Sequence, residues 1–529
     1  MPVRPSFLRP AGLALAAVLV LCVVAPPEAL GAGLAAVALF VSVAVVAASA
    51  SAAASPASRW VLAMVPVAAV ATRTAIAPGE AVEPAVGMFL AVIAGISAAY
   101  ATEHDELFAR LFGVLLAYAG GRALWQALWG FAATPAVARE TALRGDALGG
   151  FLILSIPAVA ACAFGRRGST RALGLAAVVV GAAGLVATRS MPALAALAAA
   201  LALAALGRRV APRALAVGAG VVGFTVLCLG IARPDAIFAP AREDESRQLR
   251  LGSVRIALEM ARDHPLAGVG PGGFVEAFPQ YRRAGDDESP HARDLPAELA
   301  AEWGLPAGLA LAALFFWLFV GPVFRRAGDA LTFTSGLSVG LAAFALHNLV
   351  GFTAFLPSLL VFAAVCRGLL AQRAAREPAI PAARAAWIAV SLALTVVAMG
   401  AGLARDALSD ARVAAASGDH AEALRLALRA KTLAPWDADP PLLAAGARTA
   451  AGSSAAAALE DAEQAVERAP SRASARSERA RTRAAAGDAT GAYADLVEAS
   501  RLYPLRPEYA EQRDALAAAL SKASGASLR

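Results

Sequence analysis

The chain has 529 residues, of which 59% are hydrophobic and 16% charged, with a formal charge of +7 at pH 7. That is far more apolar than a globular domain, whose charged fraction is about 25%. The basic residues sit in short loops and in the tail, with no aromatic-rich or groove-binding motif, which excludes a nucleic-acid partner. Ala- and Leu-rich blocks recur at the length that crosses a hydrocarbon core, about 20 residues per helix. They predict spans near 11–27, 29–50, 58–76, 83–100, 108–128, 146–164, 171–188, 190–206, 213–232, 304–322, 331–349, 353–371 and 385–404. The fold expected is therefore all-α: a polytopic transmembrane helical bundle of about 12–13 spans, carrying a long external loop and a C-terminal helical repeat. Cys22, Cys162, Cys228 and Cys366 all fall inside apolar spans and read as membrane-buried thiols, not disulfide or metal partners.

Arginine sets the orientation. Counting Lys and Arg in short loops, Arg4 and Arg9 place the N-terminus in the cytoplasm, and Arg59, Arg166, Arg167, Arg208, Arg209, Arg325 and Arg326 fall inside by alternation. Residues 103–106 form one mostly acidic inside loop, and acidic residues count little under the rule. The alternation puts both soluble parts, the loop 233–303 and the tail, on the far side of the membrane. The domain division that follows is 1–232 for the N-terminal spans, 233–303 for the external loop, 304–404 for the C-terminal spans and 405–529 for the repeat.

The loop gathers the polar groups. Residues 247–274 read as an amphipathic helix followed by a glycine turn, Gly268 to Gly273. Arg247 and Arg250 share a helical face, and Arg255 follows. Guanidinium groups suit diphosphates, because they stay charged and bind two oxygens at once. A glycine turn brings backbone N–H groups near an anion, although turn-making alone also explains it. His291, Arg293 and Asp294 close the loop, and Arg189 lies between two spans facing the same compartment.

The tail changes texture at about residue 405. Gly418, Gly452 and Gly487 recur at a period of about 34 residues, as do Pro435, Pro470 and Pro504, with Ala-rich amphipathic stretches between them. This resembles tetratricopeptide repeats, in which each helix pair buries its apolar face on a neighbour. Such an array implies a docking surface for a protein partner.

The loop resembles the O-antigen ligase and polymerase family, membrane enzymes of bacterial surface-polysaccharide assembly. That family shows an arginine, a short helix and then Asp-x-Pro-x-x-Gly-x-Gly-x-x-x-Phe; Arg250 and Asp263-His-Pro265-Leu-Ala-Gly268-Val-Gly270-Pro-Gly-Gly-Phe274 match it. His291-Ala-Arg293-Asp294, Leu299-Ala-Ala-Glu302-Trp-Gly304, His347-Asn348 with Phe352, and Thr188-Arg189-Ser190 are similar to further family elements. The resemblance covers roughly 170–360. Counting back from Gly304, the family's catalytic histidine aligns with Arg293, with His291 two residues earlier, and Val254 stands where the family has Trp. Three readings follow: His291 takes the role through a small shift, the member works differently, or it is inactive.

The resemblance implies a multi-pass protein of the bacterial inner membrane, with loop and tail periplasmic. It implies glycosyl transfer from an undecaprenyl-diphosphate-linked glycan to lipid A–core, to another glycan or to a protein hydroxyl, without metal or cofactor. His291, Arg250 and Arg189 are then the candidate catalytic residues, and Arg247, Arg255, Arg293 and His347 the candidate substrate-binding ones. Simpler alternatives stand beside several of them. Arg189 has the option of snorkelling to the interface, Arg247 and Arg255 of meeting membrane-lipid headgroups, and Arg293 of pairing with Asp286 or Asp287. For His347 the alternative is a helix-end hydrogen bond, although a polar group at a membrane boundary is a functional candidate by default. His264 fixes a turn; His104 and His420 receive no role. Ligase, polymerase and protein-glycosylating readings stay open, and a non-catalytic assembly scaffold is the rival of another class. A secondary transporter is disfavoured, since related halves and broken midplane helices are not found.

Overall fold

The computed structural model describes residues 10–24, 81–101, 105–129, 135–206, 241–286, 291–324, 332–371 and 381–526, with Val41, Val43, Ala75, Ala77, Pro78 and Ser289 besides. Among these residues the regular structure is all helical. The first group is α1 (Pro10–Val24), α2 (Val82–Ala101), α3 (Asp105–Trp129), α4 (Pro135–Phe164), α5 (Gly168–Ala187) and α6 (Met191–Leu206). In the loop lie α7 (Ala241–Asp263) and α8 (Gly273–Tyr281), followed by α9 (Leu295–Phe324), α10 (Phe333–His347), a 3-10 turn (Thr353–Phe355), α11 (Pro357–Ala371) and α12 (Pro381–Ala416). The tail continues as α13 (His420–Leu433), α14 (Asp439–Ala450), α15 (Ala455–Arg468), α16 (Ala473–Ala485), α17 (Ala489–Leu502) and α18 (Pro507–Ala526).

Among the described residues six helices are long and apolar enough to cross a membrane, and α1, α6, α10 and α11 are shorter apolar helices. Each corresponds to an expected span. The spans expected near 29–50, 58–76 and 213–232 lie, but for isolated positions, outside the described residues. One apolar core joins the bundle, with Phe112, Phe151, Phe344 and Phe362 buried in it. Small residues let the helices close up. A Cβ on Gly340 would lie 2.0 Å from the Leu154 carbonyl oxygen, so α10 and α4 meet backbone to backbone there.

Residues 295–303, at the end of the loop, are helical, and α9 continues to Phe324 with a break at Gly304, at non-helical angles of φ 77° and ψ 164°. The boundary at 404/405 differs from the expected one, since α12 passes through it without interruption. Its 36 residues extend about 54 Å at 1.5 Å per residue, enough to cross a bilayer and continue as the first helix of the tail.

The tail repeats down to its backbone angles. Gly418, Gly452 and Gly487 adopt positive φ, at 84°, 62° and 88°, in the turns between α12 and α13, α14 and α15, and α16 and α17. Ala434, Ala469 and Tyr503 end α13, α15 and α17 with φ between −129° and −138° and ψ of 74–76°. Each precedes a proline, whose ring pushes the previous residue out of the helical region. A buried aspartate repeats as well. Asp461 receives Lys431 at 2.7 Å and Arg448 at 2.8 Å, and Asp495 receives Arg479 at 2.5 Å and Arg483 at 2.9 Å.

The tail touches both loop and bundle. Arg472 bonds Glu276 of α8 at 2.6 Å and also reaches Asp439. Arg282 donates to the Tyr503 hydroxyl at 2.9 Å, and Arg405 pairs with Glu83 at the start of α2.

Candidate active site

The glycine turn is stitched to the outer end of α9. Val269 N–H donates to the Ala301 carbonyl at 2.8 Å, Gly270 N–H to the Glu302 carbonyl at 2.9 Å, and Leu305 N–H to the Pro265 carbonyl at 2.8 Å. Glycine is required at this seam. Gly268 sits at φ 67°, and a Cβ there would lie 2.3 Å from the Glu302 carbonyl carbon. The backbone N–H groups of Gly272 and Phe274 donate to the Glu302 side chain. The turn's N–H groups are therefore taken up by a buried carboxyl of its own chain, which burial and the Glu298 charge hold well above the usual carboxylate range despite those bonds. Those donors satisfy the N-terminus of α8, whose N-cap Gly272 has no side chain to do so.

His291 is held at three points. Its Nδ1 lies 2.7 Å from Glu298 Oε1, and the other Glu298 oxygen accepts the Ala292 N–H at 2.8 Å. The imidazole stacks on Phe352, centroids 5.2 Å apart, and on Phe355, at 5.4 Å. Glu298 is 1% exposed while the His291 side chain keeps 24%. A carboxylate on Nδ1 fixes the tautomer that carries its proton there and leaves Nε2 as the basic nitrogen.

His347 is oriented by a chain of hydrogen bonds whose directions can be counted. Asn348 Nδ2 donates to the Phe344 carbonyl at 2.8 Å, and its Oδ1 accepts the Ala354 N–H at 2.7 Å, which settles the amide orientation. Thr353 donates its hydroxyl proton to Asn348 Oδ1 at 3.2 Å. Its oxygen therefore accepts from His347 Nδ1, 3.3 Å away, since a hydroxyl has one proton to give. Among the described residues, Nε2 of His347 is buried without a hydrogen-bond partner. The charges of Asp146 and Arg250 both act on this ring. Asp146, in α4, accepts the Ser190 hydroxyl at 2.7 Å. The 3-10 turn, with Phe352 before it, thus stands between the two histidines.

Arg189 and Arg293 are the non-glycine residues of positive φ among those described, at 56° and 58°. Such a conformation is uncommon outside glycine and concentrates at functional sites. Arg189 lies in the turn between α5 and α6, next to Ser190, which bonds Asp146. The Arg293 guanidinium stands 6.0 Å from the Phe352 ring centroid. Asp294 caps α9 by accepting the Ala297 N–H at 2.8 Å, and burial pushes its carboxyl above the usual range despite that bond.

The charge of Arg250 thus reaches His347, Arg189 precedes Ser190, the partner of Asp146, and His291 and Arg293 lie against Phe352. Arg255 stands apart. It bonds Glu259 at 3.0 Å and Asp286 at 2.5 Å, so its fork is occupied by carboxylates. The Arg247 side chain lies outside the described residues. Sequence reasoning missed Asp146, Glu298 and Thr353. Asp146 carried a readable signal, an acid at the edge of an apolar span; Glu298 and Thr353 looked like ordinary loop and helix-end residues.

Residues 176–312 match the O-antigen ligase family. The matched segment holds Arg189, Arg250, His291, Arg293, Glu298 and Glu302, while Asp146 and His347 come from helices outside it. No curated protein matches the chain. Among solved structures, "First TPR of Spaghetti (RPAP3) bound to HSP90 peptide SRMEEVD" is similar at 21% identity and a TM-score of 0.22, covering 23% of this chain and 95% of that one. The ligase-family segment supports a glycosyltransferase-like role in polysaccharide assembly within a membrane.

Proposed function

We propose that the protein transfers a glycan from an undecaprenyl-diphosphate carrier to an acceptor hydroxyl, as an O-antigen ligase does, on the periplasmic face of the inner membrane. The observation that carries this is the His291–Glu298 pair at 2.7 Å within a segment that matches the ligase family. Nε2 of His291 takes the proton of the acceptor hydroxyl as its oxygen bonds the anomeric carbon. The bond from that carbon to the phosphate oxygen breaks, and the carrier diphosphate leaves with the electron pair. Arg250 and Arg189 stabilise the charge gathering on the diphosphate, a term that often dominates such catalysis. Glu298 is a positioning residue, keeping Nδ1 protonated and Nε2 free.

Lipid A–core is the first acceptor, with glycan polymerisation and transfer to protein as alternatives on the same donor. The second reading, a non-catalytic assembly scaffold, is favoured by Arg293, which stands where the family has its histidine. A deletion strain separates them. Long lipid-linked glycan accumulating while lipopolysaccharide loses its ladder supports a ligase, and single repeat units a polymerase. If neither pool changes, or if His291→Ala restores the deletion fully, the transferase reading fails.

A further inference from the structure

We propose that the outward face of α7 and the turn after it rest on the phospholipid surface, as a ledge that fixes the loop against the bilayer. At 100° per residue, Leu251, Leu258 and Arg262 fall within about 40° of one another on the helix. Leu251 is 61% exposed and Leu258 54%, and Leu266 in the turn is 81% exposed. The opposite face is already buried, with Ile256, Ala257 and Met260 packed beneath the loop. A helix whose inner face is satisfied ordinarily shows polar residues outward; this one shows leucines with an arginine among them, the mixture of an interfacial helix.

The occupant follows from what the ledge adjoins. Leu305 N–H bonds the Pro265 carbonyl at 2.8 Å, and a Cβ on Gly304 would lie 2.4 Å from the Leu266 carbonyl oxygen. Leu266 is therefore seated on the first turn of the membrane-length part of α9. Leu305 and Leu309 are exposed there, on a helix apolar enough to span. The leucines of the ledge continue a lipid-facing surface across the membrane boundary. The inference rests on α9 as a span and not on the transfer chemistry, so each can fail alone.

The test uses the full chain in nanodiscs of phosphatidylethanolamine and phosphatidylglycerol, with its four cysteines replaced by serine. Spin labels are placed at Leu258→Cys and Leu266→Cys, at Leu309→Cys as the lipid-facing reference, and at Ala284→Cys, beside the contact with the tail, as the water-facing one. Collision with oxygen over a nickel chelate reports depth. Labels at 258 and 266 are expected to favour oxygen several-fold over the label at 284, approaching the label at 309. Ratios equal to that at 284 overturn the proposal. Should the serine background fail to fold, hydroxyl-radical footprinting of the unaltered protein in the same nanodiscs decides. Leu258 and Leu266 should then oxidise several-fold more slowly than Val275, itself 45% exposed; equal or faster oxidation overturns the ledge.

Discussion

Replacing Asp437 by Asn is expected to tighten the junction where the tail meets the bundle and loop. Burial, then the nearby Asp439 carboxylate, raises the Asp437 carboxyl from 3.8 to about 6; Glu83 adds to the rise, while the Asp439 N–H and Arg472 oppose it. At 1.36 kcal/mol per unit, such a rise is worth about 3 kcal/mol. Partial solvent access reduces it, so the expected gain at pH 7.5 is about 1–3 kcal/mol. Asn keeps the one hydrogen bond at stake, since Oδ1 still accepts the Asp439 N–H now at 2.9 Å. The sign is set by linkage. A carboxyl raised in the folded state is fully stabilising below pH 3.8 and loses that contribution as pH rises through about 6. The gain from Asn should thus fall to roughly a third by pH 4.5 and vanish in stronger acid. Hydrogen exchange of peptides covering 434–472 in the full-length protein, corrected for intrinsic rates, measures the opening free energy. Lower protection in the variant at pH 7.5, or the same gain at both pH values, would refute the reasoning.

Other outcomes follow from the site and the repeat. Gly268→Ala places a Cβ 2.3 Å from the Glu302 carbonyl carbon at a positive φ, so it should open the seam, abolish glycan transfer and expose 264–274 to protease; normal activity would show that the seam is dispensable. Glu298→Gln leaves a hydrogen bond but not the charge that holds the tautomer, and should lower kcat about 10-fold or more with little change in KM and a shifted pH profile; an unchanged kcat refutes the pairing. Arg293→Gly should be more stable than Arg293→Ala by about 1 kcal/mol, because φ is 58° there, with transfer impaired in both; equal melting of the two refutes the strain. Asp461→Ala strands Lys431 and Arg448 around a site only 5% exposed, and should cost about 3 kcal/mol in exchange protection across α13–α15; a loss below about 1 kcal/mol, roughly a surface pair's worth, would mean the repeat does not depend on it.

Much of the architecture was legible because its causes are local. The apolar blocks, the helix before the glycine turn, and the period of Gly418, Gly452 and Gly487 all depend on residues close in sequence. The continuity of α12 was not legible, since charges from Arg405 onward mark an end to hydrophobicity and say nothing about an end to helix. The site divided along the same line. Arginines and histidines were visible as residue types, and the charge of Arg250 does reach His347. Their partners come from afar: Asp146 from α4 for His347, and the 3-10 turn for His291. The glycine turn misled for a related reason. Its N–H groups are already taken by the Glu302 side chain, whose return to the turn depends on the fold of α9.

The unbroken α12 makes the tail a fixed-reach arm. Because no flexible joint separates the bilayer from the first helix pair, each residue added within it would lift the array by about 1.5 Å and turn it by about 100°. Height and heading are locked together. The surface of the tail is thereby held at one distance and one bearing from the apolar half of the helix, which acts as a ruler between them.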